Sequence, residues 1–333
     1  MRGGGKHSLV TLPAGCDLQP LGLDAGQITG TTLISQKDGH AVYRLTCGRQ
    51  SYVLKWFEGP APPVEVAGYA LLEQLGVPTL PVHGRAANAL LLPDLEASAE
   101  WRPATEADVE RAETGAAVAE WYRNLHAAGR TVLADPQTAP GFLKREADAL
   151  DAATILKTGE ALGLAAYPVW RLAAEHIEAL KHAMRSLPET LTYNDFHWTN
   201  LALSRTQKPA RRAIVYDYHL LGIGLRYSDC RNVVGSLRGP ARRAFWEVYG
   251  DPDEREVALD GPVSVVYTLS LAVRLPRLPA WALACRHEVM SGALKLDLER
   301  ALDILPLYGR ATLSAPDRDT CVGTGWTRAV TLR

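Results

Sequence analysis

The sequence predicts a two-lobed α+β protein, with a small antiparallel sheet and one helix first and a larger, mainly helical lobe after it. Three observations carry this. Residues 31–57 alternate in short β-type runs separated by Asp-Gly and Gly-Arg turns. A helical pattern follows the third run. After Pro103 the spacing of apolar residues is almost wholly helical. The chain has 333 residues, enough for one large domain or two lobes. The expected parts are an N-terminal tail over 1–27, a first lobe over 28–92, a hinge over 93–97 and a helical lobe over 98–333.

Composition narrows the class. Formal net charge is −1 and the charged residues, 22% of the chain, are well mixed. No basic excess calls for nucleic acid or an anionic membrane. The longest apolar stretch, Val263 to Val273, is too short to span a bilayer. The first seven residues lack the apolar core of a signal peptide. The five cysteines lie far apart with no C-x-x-C, so they read as reduced thiols of a cytoplasmic protein.

In chain order, Thr31 to Ser35 reads as a strand, and Gln36 to His40 as a hairpin turn whose backbone could cover phosphates. Ala41 to Cys47 and Ser51 to Phe57 complete a meander. Lys55 lies inside the apolar run Tyr52 to Phe57. An unpaired ammonium is costly to bury. Such a lysine either snorkels to water or is held by a carboxylate while it grips nucleotide phosphates. Pro63 opens a helix, Val64 to Leu75, stopped by Gly76. It carries Glu65 ahead of its apolar face and Glu73 near its end, and Glu65 is the better partner for Lys55. Pro81 to Gly84 and Ala89 to Leu92 read as two more strands. Pro93-Asp94-Leu95-Glu96 reads either as an ordinary exposed turn or as the crossing between lobes, where the backbone at Asp94 and Leu95 could meet a nucleotide base.

Thr105 caps a long helix, with Asp108 at the third position, and the pattern runs to a stop at Gly129. His126 in its last turn reads as structural. Residues 136–141 form a loop. Phe142 to Met184 holds two or three helices that precede the central motif and could wall a second pocket. Pro240 to Tyr249, Val263 to Leu275 and Pro279 to Leu305 are helical. Glu288, Asp297 and Glu299 read as a solvated face, the alternative being a seat for a cationic substrate. Residues 311–333 carry no signal.

The centre of the chain is Tyr193-Asn194-Asp195-Phe196-His197-Trp198-Thr199-Asn200, followed by the β-type run Ala213 to Asp217. Phosphoryl transfer needs a carboxylate near the attacking hydroxyl. It also needs an amide oxygen and a second carboxylate for the metal on the phosphates. Asp195, Asn200 and Asp217 fit these roles in the order a kinase uses them. A lone Asp-x-x-x-x-Asn is common as a turn or cap; the second Asp and the upstream Lys55 raise its meaning. Asp229 closes an irregular loop and reads as a cap for a helix beginning near Cys230 or as a buttress of the central loop.

Over roughly residues 30–235 the ordered set Lys55, Glu65, the crossing at 92–95, Leu125 to Gly129, Asp195…Asn200 and Asp217…Asp229 resembles the aminoglycoside phosphotransferase and choline kinase group of the protein-kinase-like fold. Of that group's His-Gly-Asp-x-His-x-x-Asn pattern, Asp195, His197 and Asn200 match, while Tyr193 and Asn194 replace the first His and the Gly. Val215-Tyr216-Asp217-Tyr218 is similar to its metal motif. The resemblance implies an ATP-dependent phosphotransferase, with GTP as the alternative donor. It implies Mg²⁺ on Asn200 and Asp217, catalysis at Asp195, and Lys55 paired with Glu65. His197 would support the loop. The acceptor would be a hydroxyl of a small molecule such as an aminoglycoside, another antibiotic, an amino alcohol or a sugar. The protein would act as a monomer or homodimer. The competing expectation is a catalytically inactive module that binds a nucleotide or a partner. A protein kinase is disfavoured, because no Ala-Pro-Glu segment follows Asp217 and no Arg directly precedes Asp195.

Overall fold

The computed structural model describes residues 12–305 apart from 14, 38, 60–62, 136–138 and 207–209. The expected tail over 1–11, Asp38 of the hairpin turn, the middle of the 136–141 loop and the stretch 311–333 therefore lie outside the described residues. The fold is the two-lobed α+β arrangement.

The first lobe is an antiparallel sheet of β1 (Ile28–Lys37), β2 (His40–Cys47), β3 (Gln50–Phe57), β4 (Gly84–Ala86) and β5 (Ala89–Pro93), in the order β1-β2-β3-β5-β4. Alternation sends Ala41, Tyr43, Leu45 and Leu54 into one core. The fourth strand lies at Gly84–Ala86, where Pro81 to Gly84 was expected. Pro81 has no N–H to give to a ladder. Most of residues 15–27 are exposed, and Leu21 is the buried residue among them. Leu21 is buried in the outer core of the sheet, and a Cβ on Gly84 would stand 2.3 Å from the Leu21 carbonyl oxygen. That close approach requires glycine.

Helix α1 (Val64–Gln74) packs behind the sheet through Val66, Tyr69, Leu71 and Leu72, with Pro63 at its N-cap. Strand β6 (Trp101–Pro103), which carries no sequence signal of its own, leads into the second lobe. The expected helix from Thr105 is two elements. A 3₁₀ turn, Glu106–Glu110, is held by the Thr105–Asp108 capping box, and the chain bends at Arg111 into α2 (Ala112–Val132). Helix α2 passes through Gly129 and ends at Val132. A Cβ at 129 would lie 2.2 Å from the Leu191 nitrogen, so this glycine admits a strand and does not end the helix.

The remaining elements are α3 (Ala152–Ala161), α4 (Val169–Arg185), β7 (Thr190–Thr192), β8 (Leu201–Ser204), β9 (Ala213–Val215), β10 (Gly222–Gly224), α5 (Arg226–Ser236), α6 (Gly239–Tyr249), α7 (Glu254–Ala272), α8 (Leu283–Ser291) and α9 (Ala293–Ile304). Helix α7 starts nine residues before the expected Val263, carrying Pro262 inside it. Burial of Leu259, Val263 and Val266 on one face outweighs the one backbone hydrogen bond that proline forfeits. Trp121, Tyr122 and Leu125 of α2 share a core with Tyr193, Phe196 and Phe245. A second core joins α3, α4 and α7 to α9.

Two small ladders position the central loop. β8 pairs with β6 and β9, and β10 pairs with β7. The register Leu201↔Val215 sets Asn200 opposite Tyr216, whose N–H donates to the Asn200 carbonyl at 3.0 Å. The residue after Tyr216 is Asp217. Antiparallel pairing thus brings the ends of the two motifs side by side.

Candidate active site

Lys55 sits mid-strand between Val42 of β2 and Leu90 of β5, and only 8% of its surface is exposed. It does not snorkel. Its Nζ is 2.5 Å from Glu65 Oε2 and 2.7 Å from Asp217 Oδ1. Glu65 faces inward from the first turn of α1 at 1% exposure, whereas Glu73 reaches outward to Arg85. Burial alone would lower the Lys55 pKa, but the charges of Glu65 and Asp217 outweigh it and raise it, so the ammonium is retained. Burial pushes the Glu65 carboxyl up to about 7, against the pull of Lys55.

Asp217 stands at φ 72°, in the left-handed region. The turn leaves Tyr218 pointing into the core, where its ring meets Tyr69 edge-on at 4.7 Å and its hydroxyl donates to the Val215 carbonyl at 2.6 Å. Asp217 and His219, on either side of that anchor, are hydrogen-bonded to each other at 2.8 Å through His219 Nδ1. Burial would raise Asp217, but the His219 hydrogen bond and the Lys55 charge outweigh it and hold its carboxyl well below the usual range. Asp217 is therefore an anion at neutral pH.

Asp195 is half-buried, and Asn200 Nδ2 donates to its Oδ2 at 2.8 Å. Its pKa is raised, first by burial, with the His219 charge opposing and the Asp217 charge adding to the rise. The two residues that depart from the family pattern have a physical account. Asn194 adopts φ 66°, a conformation that asparagine tolerates better than most residues, so it can stand where the pattern has glycine. Its amide donates to Thr192 Oγ1 and to the Leu220 carbonyl. Tyr193 is fully buried, and its hydroxyl donates to the Tyr216 carbonyl at 2.5 Å, tying the Asp195 loop to the Asp217 turn.

Asp229 resolves as a buttress. Its helix α5 begins at Arg226, not near Cys230, and its carboxylate turns back to the loop. It accepts the N–H of Tyr193 at 2.9 Å and of Asn194 at 2.8 Å. His126 Nε2 lies 3.1 Å from it, and His126 Nδ1 is 2.6 Å from the Tyr249 hydroxyl. His126 is thus structural. His197 is exposed and bonds Thr199 within its own turn.

At the crossing, the Asp94 carboxylate is committed to Arg44 Nε at 2.8 Å, Ser51 Oγ at 2.6 Å and the Glu96 N–H. Its side chain fixes the shape of the crossing. What Asp94 and Leu95 can offer a ligand is backbone. They border a cleft of about 360 Å³ with Val42, Val53, Lys55 and Asp217. Apolar walls around one buried cation suit a flat base attached to an anionic tail. A second cavity, of about 510 Å³, lies beside the turn that follows Asp217. Phe142, Glu146, Asn194, His219, Leu220 and Tyr267 line it. Phe142 and Glu146 belong to the segment before β7 that was expected to wall a pocket. His219 and Arg44 were missed by sequence reasoning, and Tyr193 was noted only as a departure from the motif.

Oxygen donors remain for a hard cation. Asn200 turns its amide nitrogen to Asp195, which leaves the amide oxygen on the other side, and Asp217, whose Oδ1 is bonded to Lys55 and His219, keeps Oδ2. Among the described residues no group of three or more His, Cys, Asp or Glu side chains is placed to hold a metal ion. This donor set suits Mg²⁺, which takes one or two protein oxygens and completes its shell with phosphates and water.

The model of the phosphotransferase enzyme family (APH) matches residues 31–259, more than half of the chain, and the chain belongs to that family. The match runs past the 30–235 span of the motifs, through α6. The protein is thus an enzyme of the small-molecule kinase class. Solved structures share the fold. A choline/ethanolamine kinase family protein from Mesorhizobium loti superposes with a TM-score of 0.53 at 15% identity, covering 85% of this chain and 94% of its own. Choline kinase from Cryptosporidium parvum Iowa II gives 0.52 at 11%, covering 86% and 92%. Plasmodium vivax ethanolamine kinase gives 0.50 at 12%, covering 81% and 84%. A search of curated proteins found no match. Among the described residues no helix is long and apolar enough to cross a membrane.

Proposed function

We propose that the protein transfers the γ-phosphoryl group of ATP to a hydroxyl of a small molecule. The observation that carries this reading is the meeting of Lys55, Glu65 and Asp217 at one cleft, with the Asn200-bound Asp195 next in the chain to Asn194, which lines a second cavity. Lobe boundaries follow: 28–92 holds the nucleotide, 93–97 is the hinge and 98–333 carries the acceptor.

In this reading Lys55, steered by Glu65, steadies the α- and β-phosphates, and the crossing at Asp94 and Leu95 meets the base through its backbone. Asn200 and Asp217 hold Mg²⁺, which neutralises charge on the phosphates when bound. Asp195 accepts a hydrogen bond from the attacking hydroxyl and orients it. Its raised pKa suits a group that takes a proton late. Placement of the reactants supplies most of the rate, since the reaction asks for little covalent chemistry from the protein. The acceptor is an aminoglycoside, another antibiotic, an amino alcohol or a sugar, and the enzyme acts in the cytoplasm. The test is transfer of labelled γ-phosphate from Mg-ATP, and in parallel Mg-GTP, to a panel of these compounds. A labelled acceptor supports the reading; nucleotide binding with no labelled acceptor counts for an inactive binding module.

A further inference from the structure

A third cavity, of about 310 Å³, is walled by α2, the first residue of α5 and the last residue of α6. It shares no lining residue with the nucleotide cleft or the acceptor cavity. Helix α2 brings Arg123 and Arg130 to it, seven residues apart on one face, or two turns and roughly 10 Å along the helix. Ala127 lies between them, and its short side chain leaves the space open. Arg226 of α5 completes a set of three guanidinium groups, against the single carboxylate of Glu120. The charges do not cancel. Arg226 gives Nε and Nη2 to the buried Glu256 and keeps Nη1. Arg123 gives one N–H to the Val248 carbonyl in the last turn of α6 and passes Glu120 at 3.7 Å. The side chains of Arg130 and Asn124 have no hydrogen-bond or ion-pair partner among the described residues.

We propose that this cavity is a second ligand site, one that takes a small phosphate-bearing molecule. The free N–H groups of Arg123, Arg130 and Arg226 meet the phosphate oxygens, and the Asn124 amide meets a polar substituent. Guanidinium groups hold such oxygens by paired, charge-assisted hydrogen bonds. Among the described residues Ala127 is the only aliphatic side chain in the lining, whereas the nucleotide cleft offers Val42, Val53, Leu80 and Leu92 around a base. The ligand is therefore anionic and carries no base. It bridges α2, α5 and α6, the helices that carry His126, Asp229 and Tyr249. Tyr249, in the wall of the cavity, is bonded to His126, and His126 to the Asp229 buttress. Binding across these helices stabilises the folded chain against unfolding.

The test uses the full-length protein, with Arg123→Gln/Arg130→Gln and Arg123→Lys/Arg130→Lys. Both side chains are exposed, so the variants should fold. Mg-ADP is kept saturating, which fills the nucleotide cleft. Inorganic phosphate, pyrophosphate and phosphoethanolamine are titrated by calorimetry, with acetate as the carboxylate reference, and thermal unfolding is followed beside them. We expect the phosphate-bearing compounds to bind wild type more tightly than acetate and to raise its unfolding temperature. The glutamine variant should bind them about ten- to a hundredfold more weakly, and the lysine variant, which keeps the charge, should recover part of the loss. Mg-ADP affinity should stay within about twofold in both, since neither side chain lines the nucleotide cleft. Tighter binding of phosphoethanolamine than of phosphate supports a phosphomonoester as the ligand; the reverse supports the free anion. Equal affinity in wild type and the glutamine variant overturns the proposal, because the phosphate would then sit elsewhere. So does the absence of binding to wild type, or acetate binding as tightly as phosphate. None of these readouts uses phosphate transfer, so failure of the phosphotransfer reading leaves the test intact.

Discussion

Replacing Asp229 probes how the reacting loop is held. The side chain is fully buried, and it accepts the N–H groups of Tyr193 and Asn194, the two residues before Asp195. Asp229→Ala leaves both donors without a partner in a region closed to water. Each such donor costs about 1–3 kcal/mol, so the variant should lose roughly 2–6 kcal/mol. That is a large fraction of the 5–15 kcal/mol typical of a folded domain. Asp229→Asn keeps one acceptor oxygen and should lose only about 1–2 kcal/mol. The assay is urea unfolding at constant m-value, with phosphate transfer and Mg-ADP affinity measured on the folded fraction. Transfer should fall in both variants, more steeply in alanine. Mg-ADP affinity should survive in Asp229→Asn, because Lys55 and Glu65 stand on β3 and α1, away from this buttress. The reasoning is refuted if Asp229→Ala unfolds within about 0.5 kcal/mol of wild type, or if nucleotide affinity falls while turnover does not.

Other outcomes follow from single contacts. Lys55→Met strands the buried Glu65 and should destabilise by about 3–5 kcal/mol, with Lys55→Met/Glu65→Gln recovering a large part; equal stability of the single and double variants in thermal unfolding contradicts the buried pair. The Asp108 carboxyl, although burial would raise it, is held well below its ordinary range by Arg102 and by Thr105. A depressed folded pKa adds stability that is present above the unfolded value of about 3.9 and is lost as pH falls through the lower, folded one. Wild type should therefore lose more stability than Asp108→Asn between neutral pH and pH 3, and parallel pH profiles would contradict the assignment.

Much of the site could be read without coordinates because its signals are local. Lys55 is conspicuous as a lysine in an apolar strand, and position along the helix, ahead of the apolar face or near its end, separates Glu65 from Glu73. Asp195, Asn200 and Asp217 come together because two short strands pair in a register that their apolar runs prescribe. What could not be read depends on distant partners. Gly129 looks like a helix stop, yet its missing Cβ makes room for Leu191, a strand far along the chain. Pro262 looks like a helix boundary, yet packing on both sides of it carries α7 through. Asp229 could equally cap its own helix, and only the fold shows its carboxylate facing a loop 35 and 36 residues earlier. His219 gives no pattern at all, since its meaning lies in the turn that Tyr218 anchors.

The most direct test of the central claim is single-turnover transfer of labelled γ-phosphate from Mg-ATP by wild type and Asp195→Ala, with Mg-ADP affinity measured on both. The account predicts that the variant binds Mg-ADP within a few-fold of wild type and transfers at least about a hundredfold more slowly, as expected when a positioned proton acceptor is removed. Near-normal transfer by Asp195→Ala would contradict it, because the hydroxyl would then be oriented by some other group.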